Sequence, residues 1–313
     1  MLVEMKKILV SIAALFAAAS LLSAQSMAEA TETAQLANES LSAGNYETAL
    51  TGFQEALKMA EACGEEGAEL VSTCKDIIPK TVNAIAKQLL QEDKLDEAIA
   101  KLGETIAIAK EYGDDETADK AEALIPQVYM KKAGGLLNAK EFEAAAENYA
   151  KVLELQPANG VAALRYGMAL ENANKDDEAI EAYKLAAANG QEKNAKAQIG
   201  KFYLKRSVEN LKDKKYADAV QDANASFEYI SNPQALQIAG QASQLAGKNS
   251  DAIKYFEQYL EAAPTAKNAG QVAYTVGALY QQAKNNAKAK EFFSKAVNDP
   301  KYGADAQKAL KAL

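Results

Sequence analysis

The chain of 313 residues contains no histidine, no tryptophan, two cysteines and six prolines. Each shortage removes a class of function. Without His, the side chain that most often moves protons at neutral pH is missing. Cys63 and Cys74 cannot complete the tetrahedral shell of a zinc site by themselves, so neither a metal nor a cofactor is expected. No glycine-rich phosphate loop follows a strand pattern, and the one adjacent pair, Gly134–Gly135, lies within a helical pattern. Acidic pairs occur at Glu65–Glu66, Asp114–Asp115 and Asp176–Asp177, each at a turn between helical stretches. Paired carboxylates do acid–base work when burial sets them apart, and turn residues lack that burial. The inventory therefore reads as that of a non-enzyme. Lys and Arg number 35 against 43 Asp and Glu, a net charge of −8. That balance disfavours nucleic acid, whose binding rests on phosphate neutralisation by cations.

What is present is a pattern that returns seven times. It runs GNYETALTGFQEAL at 44–57, DKLDEAIAKLGETI at 93–106, KEFEAAAENYAKVL at 140–153 and NKDDEAIEAYKLAA at 174–187. It continues as KKYADAVQDANASF at 214–227, GKNSDAIKYFEQYL at 247–260 and KNNAKAKEFFSKAV at 284–297. An alanine is fixed in every copy: Ala49, Ala98, Ala145, Ala179, Ala219, Ala252 and Ala289. Four residues later stands a large apolar side chain, Phe53, Leu102, Tyr149, Tyr183, Phe256 or Phe293, except in the fifth copy, which has Ala223. Apolar residues at i, i+3, i+4 and i+7, as in Ala49, Leu50, Phe53, Ala56 and Leu57, make each copy an amphipathic helix. A second helix precedes each copy, as in VAALRYGMALENA and QVAYTVGALYQQA, with Gly167, Gly240 and Gly277 at matching places and Gly134 one residue from such a place. Glycine inside a helix costs about 1 kcal/mol against alanine, so a recurrent one marks a close approach of backbones. Self-similarity at this period means a stacked array in which each unit packs on its neighbours.

The prolines agree with that division. Pro157, Pro264 and Pro300 follow the second helix of a pair, while Pro79, Pro126 and Pro233 are expected to open the next one. The pattern resembles the tetratricopeptide repeat (TPR) family on Tyr166, Gly167, Ala179, Tyr183 and Ala186, on Gly240, Gly247, Ala252, Phe256 and Pro264, and on Gly277, Tyr280, Phe293 and Ala296. The resemblance covers about 30–300 and implies an all-α right-handed α-solenoid, a superhelix of about seven TPR-like helix pairs. It also implies a protein-interaction role, with the first helix of each pair lining a concave groove. The fold alone does not name the partner.

The anchor alanines are spaced 49, 47, 34, 40, 33 and 37 residues apart. The two long intervals insert GEEGAELVSTCKDIIP at 64–79 and GDDETADKAEALIP at 113–126. We expect lengthened helices meeting at the glycine turns, with a kink or break near Pro79 and Pro126, so that 30–157 holds long-helix repeats one to three. Residues 158–300 hold repeats four to seven, and 301–313 form a C-terminal cap. Residues 1–24 read as a secretory signal peptide: Lys6 and Lys7 precede an apolar run from Ile8 to Leu22 that is too short to span a bilayer, and small residues follow. The expected location is periplasmic or secreted, without stable membrane insertion, and the acidic exterior favours a monomer. For the two cysteines, a disulfide suits an exported chain, whereas a helical separation of about 10 Å would forbid it. Both alternatives stand.

Candidate contacts lie on the outward face of the first helices. Gln234, Gln237, Gln241 and Gln244 are spaced three, four and three apart, on one helical face, and Gln271, Tyr274 and Gln281 extend the strip in the next repeat. Amides donate and accept together, so they suit a peptide backbone or sugar hydroxyls. A protein or peptide segment is the expected partner, with an envelope glycan or peptidoglycan as the alternative. Changing Gln241 and Tyr274 is expected to leave the helical melt intact, since exposed positions move stability by less than about 0.5 kcal/mol. The resemblance brings in a carboxylate clamp found in some members of the family, of which Lys80, Asn83 and Lys87 would supply only part, with no matching Arg nearby, so carboxylate capture is not expected. Lys201, Lys205, Arg206, Lys212, Lys214 and Lys215 form a local basic patch suited to an acidic partner or an anionic envelope component.

Overall fold

A computed structural model describes residues 26–313. The proposed signal segment 1–24 lies outside them. The described residues form helices joined by short turns, with no strand among them. They fall into two compact units that divide after Pro157. The first holds α1 (26–42), α2 (Tyr46–Ala62), α3 (Ala68–Gln91), α4 (Leu95–Tyr112), α5 (Asp115–Asn138) and α6 (Phe142–Leu155). The second holds α7 (Gly160–Asn172), α8 (Asp176–Ala186), α9 (Glu192–Lys212), α10 (Tyr216–Ile230), α11 (Pro233–Leu245), α12 (Asn249–Ala262), α13 (Ala269–Gln282), α14 (Asn286–Ala296) and α15 (Gly303–Ala312). Seven consecutive pairs, α1–α2 to α13–α14, are followed by α15, whose Ala306 packs with Ala273, Phe293 and Ala296.

Every pair is the same hairpin. All seven anchor alanines are fully buried. Twelve residues before each anchor, on the first helix, stands a small buried residue: Ala37, Ala86, Ala133, Gly167, Ser207, Gly240 or Gly277. Five residues before each anchor stands a left-handed one: Gly44, Asp93, Lys140, Asn174, Lys214, Gly247 or Lys284, with φ between 58° and 80°. The next residue donates its N–H five positions back, from Asn45 to Ser40 and so on to Asn285 to Tyr280, at 2.8–2.9 Å. This closes the first helix in a Schellman turn and satisfies one of its last carbonyls. Because the small residue and the anchor keep one spacing in all seven pairs, every difference in repeat length falls after the anchor of one pair and before the small residue of the next.

Gly167, Gly240 and Gly277 are glycine for a steric reason. A Cβ on them would come within 2.6–2.7 Å of the rings of Tyr183, Phe256 and Phe293. Those rings are almost wholly buried, so a side chain could enter only by moving a packed aromatic.

The long intervals in the first unit do become long helices: α3 and α5 have 24 residues each, against 13 in α7 and α11. No break occurs at either proline: α3 and α5 run unbroken through Pro79 and Pro126. Both prolines sit eleven residues after their helix starts (68 to 79, 115 to 126) and are buried. They therefore do not open the next pair, as Pro233 does. An interior proline removes one backbone bond and costs about 3 kcal/mol. Burial of Ile78, Val82 and Ile85 in α3, and of Ala121 and Val128 in α5, opposes that cost. In the second unit α9 has 21 residues, a lengthening that the pattern at 188–200 did not announce. It is set off from α8 by a turn at Ala187–Gln191, where Gly190 takes φ 84°.

Cys63 and Cys74 are both free thiols in the structure, Cys74 buried at the α2–α3 core and Cys63 half-buried. Burial pushes the Cys74 thiol up from its ordinary pKa.

Candidate functional site

The fixed register lets the outward faces of the first helices be compared position by position. In the second unit one face reads Val161, Leu164, Met168 and Glu171 on α7, and Lys201, Leu204, Val208 and Leu211 on α9. It continues as Gln234, Gln237, Gln241 and Gln244 on α11, and as Gln271, Tyr274, Ala278 and Gln281 on α13. Gln234 matches Gln271, Gln237 matches Tyr274, and Gln244 matches Gln281. Gln234, Gln244, Gln271 and Gln281 are exposed, and Gln237, Gln241 and Tyr274 are half-buried. None of these glutamine side chains forms a hydrogen bond among the described residues. Neither α11 nor α13 contains a charged residue. The outcome is two neighbouring helices that present free amides without a competing charge, an arrangement able to pair with a peptide backbone.

Tyr274 has a second task. Its ring lies 5.3 Å from Tyr302 and 5.5 Å from Phe293, stacked on the first at 27° and tilted on the second. It thus joins α13 to the start of α15. Aromatic pairs of this kind contribute about 0.5–1.5 kcal/mol beyond their burial. A Tyr274→Ala change would therefore disturb the melt, against the sequence-based expectation, and Gln241 is the cleaner probe.

The remaining sequence candidates separate. Lys80 pairs with Asp76 at 2.5 Å, and Lys87 is exposed. Asn83 is only 6% exposed, so it cannot present an amide to solvent as a clamp residue would. In the basic patch, Arg206 is turned inward. Its Nη2 and Nε donate to Asp222 at 2.6 and 2.9 Å, and Asn210 donates to the same carboxylate at 2.8 Å. Lys215 lies 3.8 Å from Asp213. Lys201, Lys205, Lys212 and Lys214 are exposed and form no ion pair among the described residues.

A feature the sequence did not single out lies among the last pairs. A cavity of about 680 Å³ is lined by α12, the start of α13, and α14, including Glu257, Lys288, Glu291, Phe292, Lys295 and Asp299. Glu291 accepts from both Lys288 and Lys295 at 2.9 Å, and these cations hold its carboxyl below the usual carboxylate range. Lys295 Nζ sits 4.2 Å from the Phe292 ring centroid. The spacing of Lys288, Glu291 and Lys295 at three and four residues could have disclosed this network, but not the cavity. Nearby, the Tyr280 hydroxyl donates to Glu257 at 2.8 Å; burial and that carboxylate push its pKa up to about 12. Among the described residues, no group of three or more Cys, Asp or Glu stands together as metal ligands would, and no helix is long and apolar enough to cross a membrane.

The fold and its register define a protein built from TPR-type helix pairs. No family model and no curated relative matches the chain. Among solved structures, a MamA protein is 18% identical, with 58% of this chain and 96% of that chain covered at a TM-score of 0.36. YrrB, described as a TPR protein with an unusual peptide-binding site, is 22% identical over 59% of this chain and 91% of that one, at 0.34. The pilF protein of Pseudomonas aeruginosa is 19% identical over 59% and 81%, at 0.29. The class assignment rests on the repeated hairpin itself.

Proposed function

We propose that this chain is a non-catalytic interaction module of the bacterial cell envelope that holds an extended segment of another protein across α11 and α13. The observation that carries the reading is the matched pair of amide rows, Gln234–Gln237–Gln241–Gln244 and Gln271–Gln281, uncharged and free of internal hydrogen bonds. Such a face gains affinity from many modest contacts on a surface that folding has already ordered. Export is supported by the sequence of residues 1–24. The test is a cross-linked capture from envelope extract with the purified chain, beside a Gln234→Ala/Gln241→Ala version. One protein retained by the former and lost by the latter, with unchanged thermal unfolding, is the expected result. Capture of polysaccharide in place of protein, by both versions alike, would overturn the reading.

A further inference from the structure

The amide face has a charged end. On α9, Lys201, Lys205 and Lys212 recur at i, i+4 and i+11, which places them on one stripe of the helix around the half-buried Val208. Lys201 occupies the register of Gln234 and Gln271, and Lys205 and Lys212 flank the amide rows, at the positions of Ile238 and Leu245 on α11. Some lysines of the same unit are neutralised, Lys184 by Glu181 at 2.7 Å and Lys196 by Glu192 at 2.6 Å, whereas Lys193 at the start of α9 is not. The three stripe lysines are exposed and unpaired among the described residues, and the Glu209 carboxylate on the same helix forms no ion pair with them. The helix as a whole has six basic and two acidic residues. By contrast α8, α10 and α12 are net acidic, at one Lys against four acids, none against three, and one against three.

We infer that the segment held by this face is acidic at one end, its Asp or Glu side chains meeting Lys201, Lys205 and Lys212 while its uncharged remainder crosses α11 and α13. The inference rests on the proposed binding face and adds the chemistry and direction of its occupant. An uncharged tract with the more basic neighbour on one side, α9 with six basic and two acidic residues against α15 with two and one, favours one orientation of a peptide whose charge is likewise one-sided. Charge complementarity of this kind sets encounter rate and register more than total affinity. Exposed pairs are individually weak, so three together correspond to roughly a ten-fold preference.

The test is selection of a displayed random 12-residue peptide library on the purified chain, followed by binding of synthetic copies of the enriched peptides. Enriched peptides should gather Asp and Glu at one end. Their affinity should fall about ten-fold in a Lys201→Glu/Lys205→Glu/Lys212→Glu variant whose thermal unfolding is unchanged, and should fall with added salt. The Gln234→Ala/Gln241→Ala variant should weaken acidic and neutral peptides alike. Enriched peptides with no acidic bias, bound equally by the triple variant, would overturn the inference and leave the amide face as the binding site. An unenriched library would overturn both. Self-association of the chain that the triple variant abolishes would assign the lysines to a second copy and overturn the inference too.

Discussion

Pair five and its neighbours close the same hairpin with different chemistry. In pairs four, six and seven a ring fills the space above a glycine: Tyr183 on Gly167, Phe256 on Gly240, Phe293 on Gly277. Pair five has Ser207 and Ala223 at those positions, both fully buried, and no ring. A polar cluster serves instead. Asp222, 5% exposed, takes three hydrogen bonds from Arg206 and Asn210, and the Ser226 hydroxyl donates to the Gly200 carbonyl at 2.8 Å. The Arg206 guanidinium also lies 5.3 Å from the Phe202 ring and 5.1 Å from the Tyr203 ring. Apolar packing is non-directional and tolerates small shifts. A buried charge pair works only while every member is present, because removing one strands the others. Pair five should therefore fail abruptly on loss of one carboxylate, whereas its neighbours should respond to volume.

The largest effect is expected from Asp222→Ala. Breaking a buried ion pair by removing one partner costs about 3–5 kcal/mol. Since Arg206 is a third exposed and can turn partly to water, about 2–4 kcal/mol is expected. Urea unfolding followed by circular dichroism measures it, and Asp222→Asn should restore part of the loss by accepting one of the three bonds. A cost under about 0.5 kcal/mol, the range of an ordinary surface change, would show that the polar cluster does not hold pair five.

Next in size is Gly240→Ala. On an open helix this change would gain about 1 kcal/mol from propensity. Here the new Cβ would meet the Phe256 ring at 2.6 Å, and overpacking of a tight core costs about 1–3 kcal/mol. A net loss of about 1 kcal/mol or more is expected in the same urea experiment. Ser207→Ala, which faces Ala223 and keeps the Cβ already there, should cost less. If Gly240→Ala stabilised the chain, the ring would not be pressed on the backbone as described.

The repeat was legible in the sequence because an amphipathic helix must show its apolar period, and seven copies make the period hard to miss. The long helices were legible too, since 117–125 is rich in helix formers. Two things were not. Pro79 and Pro126 looked like helix openers because local rules forbid them in an interior, and only burial on α3 and α5 shows why the rule gives way. Arg206 looked like one of six surface cations because its partner, Asp222, is sixteen residues away on another helix, at a spacing no local rule connects. The candidate face was readable in part. Spacing alone aligned the glutamines on one side of a helix, but the stacking of Tyr274 on Tyr302 needed the cap in place. The unpaired state of Lys201, Lys205 and Lys212 required knowing where every nearby carboxylate points.

The smallest effect tests what all seven pairs share. The residue five before each anchor is left-handed whatever its identity, glycine at Gly44 and Gly247 but lysine at Lys140, Lys214 and Lys284. A non-glycine residue pays about 1–2 kcal/mol to enter that region, while glycine gives back much of the gain by making the unfolded chain more flexible. Lys140→Gly, Lys214→Gly and Lys284→Gly should each stabilise by a net of about 0.5 kcal/mol, on these opposing magnitudes. They should do so equally in pair five and outside it, because the Schellman bond is the same length within 0.1 Å in every pair. Additive gains in the triple variant would mark the turn as independent of how each hairpin is filled. A gain confined to Lys214 would mean that the polar cluster of pair five strains its own turn, and that the difference between pair five and its neighbours reaches the backbone.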